Sequence, residues 1–582
     1  MAENEFIGSK TNNDVRFAQF GERIITSLLD SKAEHQPNQV FASIPIDDED
    51  LSKGFRDIKF SEMAGAINRA AHWLDSTLGK VDRRPRDPFE TFAYFGPRDL
   101  RYPIFVVAAS KVGRRVVLPS LLASIEAQVH VLIVSRCKTF ICGADFGFLP
   151  ELEQQVSGSK MIKAPSQEEL LTDTASVPRY PYDKTFEEAK DDQVLMTHTS
   201  GPTGFPKVYI VTQKMITKCD IVNVLKRGGP SVGAPIQPGS RMFCSIPIFH
   251  VSTALTRATC GTKSVAKKST KGLGMVFHLY GVVYNDQVAV LGPANKPVTR
   301  DVAIQVSKYG NVVGVTHPPF LLEEMLREPD GQEVIQKSKY VIFGEAPLSK
   351  AVGDMLASWG NVYPLMGSTE GGIWITFAPQ DPRDWQYYAF HPVMSVEFDH
   401  QDGPYYELVV KRTPFSEQFT IFFDSVPSAK IEFRTKDLWS RHPDPAKPHL
   451  WKYEGRTDDL IVLSGEVKMY AGKLEERLRN TRGIRHALVG GQQRPVPFLL
   501  VEAVEAPQTE NDAARLLDEI WPEIEEHNRN VFEATRLRKE LALVAPRDRP
   551  FVRSDKGAVD RRNTLKAFEQ DVARLYDQAG FK

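Results

Sequence analysis

The sequence has few cysteines, and none of them form a pair with the spacing of a metal or redox motif. Its 582 residues include five cysteines, an odd number with no C-x-x-C pair. This pattern argues against a disulfide framework and against a zinc site. We expect free or buried thiols in a reducing compartment. The five are Cys137, Cys142, Cys219, Cys244 and Cys260.

The sequence also lacks an excess of either charge and lacks a long apolar run. The formal net charge is -1, so nothing in the overall balance favours nucleic acid or an anionic membrane as a partner. No uninterrupted apolar run reaches the length of a membrane span, and the N-terminus is polar and acidic, unlike a secretory signal. We therefore expect a cytoplasmic protein that acts on small molecules or proteins.

The chain is long enough for two or more domains, because 582 residues exceed what one hydrophobic core usually spans. Short apolar runs that favour strands alternate with segments of helical spacing. This alternation predicts an α/β fold with buried, largely parallel strands. The predicted strands are 129–134, 139–142, 288–291, 311–315 and 339–343.

The most informative segment is 198–207, HTSGPTGFPK, which follows an apolar run. Glycines allow backbone N–H groups to approach an anion closely, hydroxyls add donors, and Lys207 adds a positive charge. These features predict a phosphate-binding loop. A Walker loop does not fit, because Pro206 stands where its second glycine belongs and Val208 where its Ser or Thr belongs.

A G-x-S-x-G pattern around Ser231 does not indicate a hydrolase. A nucleophile elbow needs a strand before the serine and a helix after it. Pro230 and Pro235 disfavour both elements.

Further motifs follow the phosphate loop in a fixed order: VIFGEAPLS at 341–349, YPLMGSTEGG at 363–372, FRTKDL at 433–438, GRTDD at 455–459 and RSDKGAVDRR at 553–562. Together with 198–207 they resemble the motifs of the adenylate-forming superfamily, which includes acyl-CoA synthetases, luciferases and the adenylation domains of nonribosomal peptide synthetases. The resemblance extends from about residue 41 to 564, nearly the whole chain.

The resemblance implies an α/β adenylation fold with a large N-terminal domain of layered sheets and helices and a small mobile α+β C-terminal domain. We expect a flexible arm at 1–16, a large domain at 17–457 and a small domain at 458–582. Asp458, in the G-R-x-D segment, would be the hinge.

The same resemblance implies an ATP and Mg²⁺ site. Glu370 would hold the metal and Thr369 would contact a phosphate. Lys556 would bridge the carboxylate and the α-phosphate, and Asp437 would accept hydrogen bonds from the ribose. Lys436 stands where the family has glycine, so the local backbone departs from the family pattern unless this position has a negative φ, which would accommodate a lysine. The implied ATP-binding residues are Thr199, Ser200, Gly201, Thr203, Gly204, Lys207, Gly344, Glu345, Ala346, Gly367, Ser368, Asp437 and Arg456.

The acid substrate is indicated by the segment PIFHVS at 247–252. Amino-acid adenylation domains have F-D-x-S there, and the Asp neutralises the substrate's ammonium group. His250 cannot serve as that fixed negative charge. We therefore expect a substrate that is not an amino acid, and we expect His250 to be a catalytic residue. The implied pocket is apolar and suits an aromatic acid. Its residues are Phe249, His250, Val341, Phe343, Leu365, Ile373 and Trp374.

The segments FASIP at 41–45 and AINRAAHWL at 66–74 resemble fungal synthetase-like reductases, which combine adenylation, carrier and reductase domains. We therefore expect the acyl group to pass to the phosphopantetheine thiol of a carrier domain, in the same protein or a separate one. Three alternatives stay open: a coenzyme A ligase, an adenylation domain for an aryl α-keto acid, and a catalytically silent binding module.

Overall fold

The computed structural model describes residues 20–581, apart from 82–88, 122, 200–205, 222, 224, 226–235, 247, 249–272, 345–347, 369, 427, 458–459, 466, 480, 482, 530, 553–558 and 560. The predicted arm at 1–16 lies outside the described residues.

Helices alternate with strands along the described chain. The helices are α1 Ile25–His35, α2 Phe60–Leu78, α3 Arg101–Lys111, α4 Ile125–Val134, α5 Leu149–Gln155, α6 Gln167–Leu171, α7 Phe186–Ala189, α8 Gln213–Ile221, α9 Leu273–Met275, α10 Gly281–Asn285, α11 Arg300–Tyr309, α12 Pro319–Met325, α13 Pro329–Lys337, α14 Lys350–Trp359, α15 Pro414–Phe419, α16 Phe422–Ser425, α17 Gly472–Arg479, α18 Glu510–Arg529, α19 Arg561–Ala567 and α20 Glu569–Gln578.

The strands are β1 Val40–Pro45, β2 Phe55–Lys59, β3 Thr91–Phe95, β4 Arg115–Val117, β5 Thr139–Cys142, β6 Lys160–Lys163, β7 Gln193–Thr199, β8 Lys207–Thr212, β9 Arg241–Cys244, β10 Val288–Val290, β11 Gly314–His317, β12 Tyr340–Phe343, β13 Val362–Pro364, β14 Gly367–Ser368, β15 Gly372–Ile373, β16 Thr376–Phe377, β17 Tyr387–Phe390, β18 Val396–Asp402, β19 Tyr405–Lys411, β20 Glu432–Arg441, β21 Trp451–Arg456, β22 Leu460–Val462, β23 Lys468–Tyr470, β24 Ile484–Gly490, β25 Phe498–Ala503 and β26 Ala542–Val544.

One sheet has the strand order β13-β12-β11-β9-β10-β1-β2, and its neighbours are parallel except for the β1–β2 pair. Strands β10, β11 and β12 are buried along their whole length, as expected for a parallel sheet covered on both faces. Parallel strands place their carboxyl ends at one edge. The segments that follow β9, β10 and β12 therefore share an edge of this sheet, where α/β proteins usually bind ligands.

A second sheet has the order β6-β5-β3-β4-β7-β8 and is parallel except for its last pair. Strands β7 and β8 form an antiparallel hairpin in which Thr199 pairs with Lys207. The two ends of the predicted phosphate loop are therefore held side by side.

The described residues divide into two compact units. The first contains those up to 396 together with 410–433, and the second contains 397–409 and those from 434 onwards. The second unit contains neighbouring strands in the order β21-β20-β19-β18. It also contains a small sheet of β24, β25 and β26. Helices α17 and α18 pack against this small sheet in one hydrophobic cluster. Asp458, the predicted hinge, lies outside the described residues, and the domain boundary at 458 stays a prediction.

The predicted α/β class is confirmed. Strands β5, β10 and β12 lie where the sequence indicates them, and β11 begins at Gly314, within the predicted range 311–315. The predicted strand at 129–134 is wrong, because these residues end helix α4. A short apolar run is equally compatible with a buried strand and with a helix. The side chain of Ser124 caps the helix by accepting a hydrogen bond from the N–H of Ala127, and that signal marks the helix start.

The described cysteines are free thiols. Cys137 and Cys244 are buried, and Cys142 and Cys219 are partly buried. Burial raises the pKa of Cys137 and Cys219 to about 12 and that of Cys142 to about 11, so these three thiols stay protonated and unreactive near neutral pH. Cys260 lies outside the described residues. Within the described part of the chain, no helix is both long and apolar enough to cross a membrane.

Candidate active site

The predicted phosphate loop lies between strands β7 and β8, whose facing ends pair with each other. The loop leaves β7 after Thr199 and returns at Lys207, the exposed first residue of β8. One residue before Thr199, the His198 ring accepts a hydrogen bond from the backbone N–H of Ser120 at 3.1 Å. The hairpin therefore fixes where the loop begins and ends and brings the Lys207 backbone beside that of Thr199.

Several predicted site residues lie outside the described residues. They are Ser200, Gly201, Thr203, Gly204, Phe249, His250, Glu345, Ala346, Thr369, Asp458 and Lys556, together with the side chain of Thr199.

Glu370 is held by a residue that the sequence motifs did not indicate. The hydroxyl of Tyr209, on β8, donates a hydrogen bond of 2.9 Å to Oε1 of Glu370. Burial, together with the negative charge of Glu370, raises the pKa of Tyr209 well above its ordinary value, so the phenol remains a donor throughout the working pH range. The strand that follows the phosphate loop is thus bonded directly to the predicted metal-binding carboxylate.

The backbone around Glu370 is also fixed. The hydroxyl of Ser368 accepts a hydrogen bond of 3.0 Å from the N–H of Gly371, and the hydroxyl of Ser425 donates to the carbonyl of Glu370. Residues 367–368 and 372–373 pair as the short hairpin β14–β15. Glu370 therefore lies at the tip of a braced turn, with Gly367 and Ser368 on its first strand.

The carboxylate of Glu370 suits a single hard cation shared with phosphates. Within the described part of the chain, the hydroxyl of Tyr209 is the group that donates a hydrogen bond to this carboxylate. No group of three His, Cys, Asp or Glu side chains within the described part of the chain could hold a metal ion. A Mg²⁺ ion bound through one carboxylate, with phosphate oxygens and water as its other ligands, fits this donor set.

Gly344 lies at the carboxyl end of β12, where the backbone approaches its neighbour closely. A Cβ atom at this position would lie 2.9 Å from the carbonyl oxygen of Leu365. Glycine is therefore required for this packing, and it places the chain that follows β12 next to the end of β13.

Asp437 and Arg456 face each other across the antiparallel pair β20–β21. Asp437 is buried, and Nη1 of Arg456 lies 3.6 Å from its Oδ1. The N–H of Asp437 donates to the hydroxyl of Thr435 at 3.1 Å, and that hydroxyl donates to the carbonyl of Leu408 at 2.8 Å. The structure thus brings together Asp437 and Arg456, two of the predicted site residues in this second unit.

Lys436 does not have the negative φ that would accommodate a lysine without strain. Its φ is 61°, so the lysine keeps the left-handed conformation that glycine adopts readily. The N–H of Lys436 donates to Oε1 of Glu407 at 3.1 Å, and Arg434 holds the other oxygen of Glu407 at 2.7 Å. These bonds fix the strained backbone beside Asp437.

The predicted acyl-pocket residues fall into separate groups. Val341 and Phe343 point to one face of β12 and pack in a hydrophobic cluster with Trp385. Leu365 and Ile373 pack with Ile342, which points to the opposite face of the same strand. Trp374 is buried between the rings of Phe390 and Phe422. The described residues of this set therefore do not form a single wall, because successive strand residues alternate between faces.

The segment after Lys556 is anchored at the start of α19. Arg561 donates to the carboxylate of Glu475 and to the carbonyl of Val489. Glu475 also accepts the N–H of Val489 at 2.8 Å. The position of Lys556 itself is a prediction from sequence.

The layered α/β architecture, in which the hairpin β7–β8 is hydrogen-bonded to the carboxylate of Glu370, agrees with the fold expected of an adenylate-forming enzyme. A family model described as "AMP-binding enzyme" matches residues 29–266, and a second, "AMP-binding enzyme C-terminal domain", matches residues 458–580. The two models together cover more than half of the chain, and the chain belongs to the AMP-binding enzyme family of acid–AMP-forming ligases.

The chain is similar to a "Carboxylic acid reductase" of Neurospora crassa, with 29% identity over 570 residues, 96% of this chain and 51% of that protein. It is 28% identical over 579 residues to the "Isocyanide synthase-NRPS hybrid crmA" of Aspergillus fumigatus, covering 98% of this chain and 34% of that protein. The chain thus spans about half or less of the length of these relatives.

Among solved structures, the fold is shared with O-succinylbenzoate coenzyme A synthetase (MenE) of Bacillus subtilis, whose structure was solved with ATP and magnesium. The TM-score is 0.65 at 17% identity, with 92% of this chain and 98% of that chain covered. At this identity the likeness shows the fold alone.

Proposed function

We propose that this chain joins a non-amino, aromatic carboxylic acid to AMP and then passes the acyl group to the phosphopantetheine thiol of a carrier domain. In the first step a carboxylate oxygen attacks the α-phosphorus of ATP, the bond from that phosphorus to the β-phosphate oxygen breaks, and pyrophosphate leaves. In the second step the thiolate attacks the acyl carbon and AMP leaves.

The observation that carries the proposal is the hydrogen bond between Tyr209 and Glu370. It joins two motifs that are 161 residues apart in sequence. One is the strand directly after the glycine-rich loop, and the other is the turn with the predicted metal-binding carboxylate. A phosphate loop close to a single carboxylate would suit a Mg²⁺–triphosphate, and this hydrogen bond supports that arrangement.

The roles of the residues follow from charge. Lys207 would neutralise a phosphate, Glu370 would hold Mg²⁺, and Lys556 would stabilise charge on the α-phosphate. The bound Mg²⁺ would supply further neutralisation of the phosphates. Asp437 would orient the nucleotide by accepting hydrogen bonds from the ribose. The chain itself needs no nucleophile, because the substrate carboxylate attacks and pyrophosphate is already a good leaving group.

His250 supports a non-amino acid as substrate. In the family motif an Asp at this position neutralises the ammonium group of an amino acid, and histidine cannot supply that negative charge near neutral pH. The apolar segment around it, with Phe249 and Ile248, favours an aromatic or other apolar body for the acid.

A carrier domain is supported as acceptor by the relatives. The matched relatives are longer than this chain, and one of them is named as a hybrid with a nonribosomal peptide synthetase. The experiment below distinguishes a carrier domain from coenzyme A as the acceptor, and an aromatic acid from an aryl α-keto acid as the substrate.

The proposal is tested by acid-dependent ATP–pyrophosphate exchange with a panel of aromatic acids, aryl α-keto acids, aliphatic acids and amino acids. We expect the fastest exchange with aromatic non-amino acids. Exchange with amino acids alone would overturn the substrate assignment. The acceptor is identified by offering the acyl-AMP either coenzyme A or a phosphopantetheinylated carrier domain and measuring thioester by mass spectrometry. Exclusive transfer to coenzyme A would overturn the carrier assignment.

A further inference from the structure

A buried lysine holds the short helix α16, which contacts the turn around Glu370. The side chain of Lys218, on α8, is buried, and its ammonium group donates to one carboxylate oxygen of Asp424 on α16. The same ammonium group donates to the carbonyl of Thr420, shortly before that helix, at 2.6 Å. The other carboxylate oxygen of Asp424 lies 2.9 Å from the ammonium group of Lys214, one turn earlier on α8. Two lysines of α8 therefore fix the position of α16.

Helix α16 in turn holds the backbone of Glu370. The hydroxyl of Ser425, which ends α16, donates to the carbonyl of Glu370, and it also lies 2.8 Å from the carbonyl of Ile421 just before the helix. The ring of Phe422, at the start of α16, packs against the residue after Glu370, because a Cβ atom on Gly371 would lie only 2.2 Å from that ring. A shift of α16 would therefore shift the backbone of Glu370.

The side chain of Glu370 is held by the strand that precedes α8. Tyr209, on β8, donates to Oε1 of Glu370, and α8 follows β8 directly in sequence. The strand after the phosphate loop and the helix that follows it thus contact Glu370 at two points. Strand β8 holds the carboxylate, and α8 holds the backbone through Lys218, Asp424 and Ser425. Hydrogen bonds of this kind orient a carboxylate that binds a metal ion.

Stability alone gives little reason for the ion pair of Lys218 with Asp424. Burial lowers the pKa of Lys218, although the carboxylate of Asp424 opposes this shift, so the charge is placed there at a cost. A buried ion pair often contributes no more to stability than an apolar pair of similar volume. It does, however, set the distance between the two helices that it joins, here α8 and α16.

We propose that Lys218 and Asp424 are positioning residues for the Mg²⁺-binding carboxylate, because through Ser425 they fix the backbone of Glu370 relative to the strand after the phosphate loop. This inference rests on the proposed function, since it assigns the effect to metal binding at Glu370. Loss of the ion pair should weaken the binding of ATP with Mg²⁺ and leave the binding of ATP without metal unchanged.

The test measures the dissociation constant of ATP by isothermal titration calorimetry, once with Mg²⁺ and once with EDTA. The constant in EDTA divided by the constant in Mg²⁺ gives the gain in affinity that the metal supplies. We expect Lys218→Met and Ser425→Ala each to lower this gain by about three- to tenfold, the size typical of one lost hydrogen bond. An unchanged gain in either variant, including one in which both constants change by the same factor, would overturn the inference. Ser425→Ala removes only a hydroxyl, and its result decides the outcome where Lys218→Met is too unstable to measure.

A double variant and a matched control separate positioning from a general structural role. In Lys218→Met/Ser425→Ala the gain should equal that of Ser425→Ala alone, because the ion pair acts through that hydroxyl, and additive effects would contradict this route. Lys111, on α3, is also buried and donates to both carboxylate oxygens of Asp30 at 2.7 Å. Lys111→Met should lower the Tm and keep the wild-type gain. A loss of gain in Lys111→Met as large as that in Lys218→Met would overturn the inference.

Failure of the proposed function gives a different result. If Mg²⁺ does not strengthen ATP binding to the wild type, the metal site at Glu370 is wrong, and the proposed function fails with it. If Mg²⁺ strengthens ATP binding equally in the wild type, Lys218→Met and Ser425→Ala, the proposed function stands and the inference alone is wrong.

Discussion

Removing one oxygen atom, in Tyr209→Phe, tests whether the bond to Glu370 matters for catalysis. The substitution keeps the ring and hence the packing of β8, but removes the donor that lies 2.9 Å from Oε1 of Glu370. A hydrogen bond to a charged group contributes about 1.5–3 kcal/mol when it is buried. Tyr209 and Glu370 are only half-buried, so solvent screening reduces this to about 1–1.5 kcal/mol.

We therefore expect Tyr209→Phe to lower kcat/KM for acid-dependent pyrophosphate exchange by about five- to tenfold. The Mg²⁺ concentration that gives half-maximal rate should rise, because Glu370 is no longer held in one position. The assay is exchange at a fixed ATP concentration over a Mg²⁺ titration, with near-UV circular dichroism as a check on folding. Since the pKa of Tyr209 is raised, the ratio of wild-type to variant rates should stay constant up to pH 9.

The matched control is Tyr309→Phe, on α11, whose ring packs against a hydrophobic cluster of the same unit. This variant should behave as the wild type. Equal rates and equal Mg²⁺ dependence for Tyr209→Phe and the wild type would refute the reasoning, because Glu370 would then need no support from β8.

The remaining predictions concern Lys556, the backbone at Lys436, and the buried histidines His278 and His317. Lys556→Ala should lower exchange by at least about a hundredfold while leaving Tm unchanged, since the lost interaction is electrostatic and forms with substrate; full activity would show that Lys556 is misassigned. Lys436→Gly should raise the free energy of unfolding, measured in urea, by about 0.5–1 kcal/mol because glycine adopts a φ of 61° without strain; destabilisation would contradict this reading. Burial lowers the pKa of His278 to about 4 and that of His317 to about 3, below the ordinary value of 6.5. The free energy of unfolding should therefore fall as pH decreases from about 6.5 towards 4, by up to about 1.4 kcal/mol per pH unit for each histidine. In urea titrations at a series of pH values, His317→Asn should make this fall less steep. An unchanged pH dependence in His317→Asn would contradict the role assigned to His317.

Local patterns in the sequence were sufficient for the fold class, because alternating strand and helix segments depend on neighbours in sequence. The phosphate loop stays a prediction from its glycines, hydroxyls and lysine, and the structure adds that its two ends, Thr199 and Lys207, pair in a hairpin. That Asp437 lies opposite Arg456 on neighbouring strands is shown by the structure and was not predicted from the two motifs.

Contacts between distant residues could not be predicted in this way. Tyr209 lies 161 residues from Glu370, and no local signal distinguishes it from other strand tyrosines. The φ of Lys436 depends on Glu407, on a different strand. Val341 and Phe343 are apolar in the sequence, but only the structure shows that they pack in a different hydrophobic cluster from Leu365.

In the proposed function, the loop after Thr199 and the carboxylate of Glu370 bind the phosphates of one nucleotide, the carboxylate through Mg²⁺. The most direct test is a crystal structure of the chain with Mg²⁺ and a non-hydrolysable ATP analogue. We expect the triphosphate between the loop at 200–206 and Glu370, with the ion on Oε2 of Glu370. A nucleotide bound elsewhere, with the loop and Glu370 making no contact to phosphate or metal, would contradict the account.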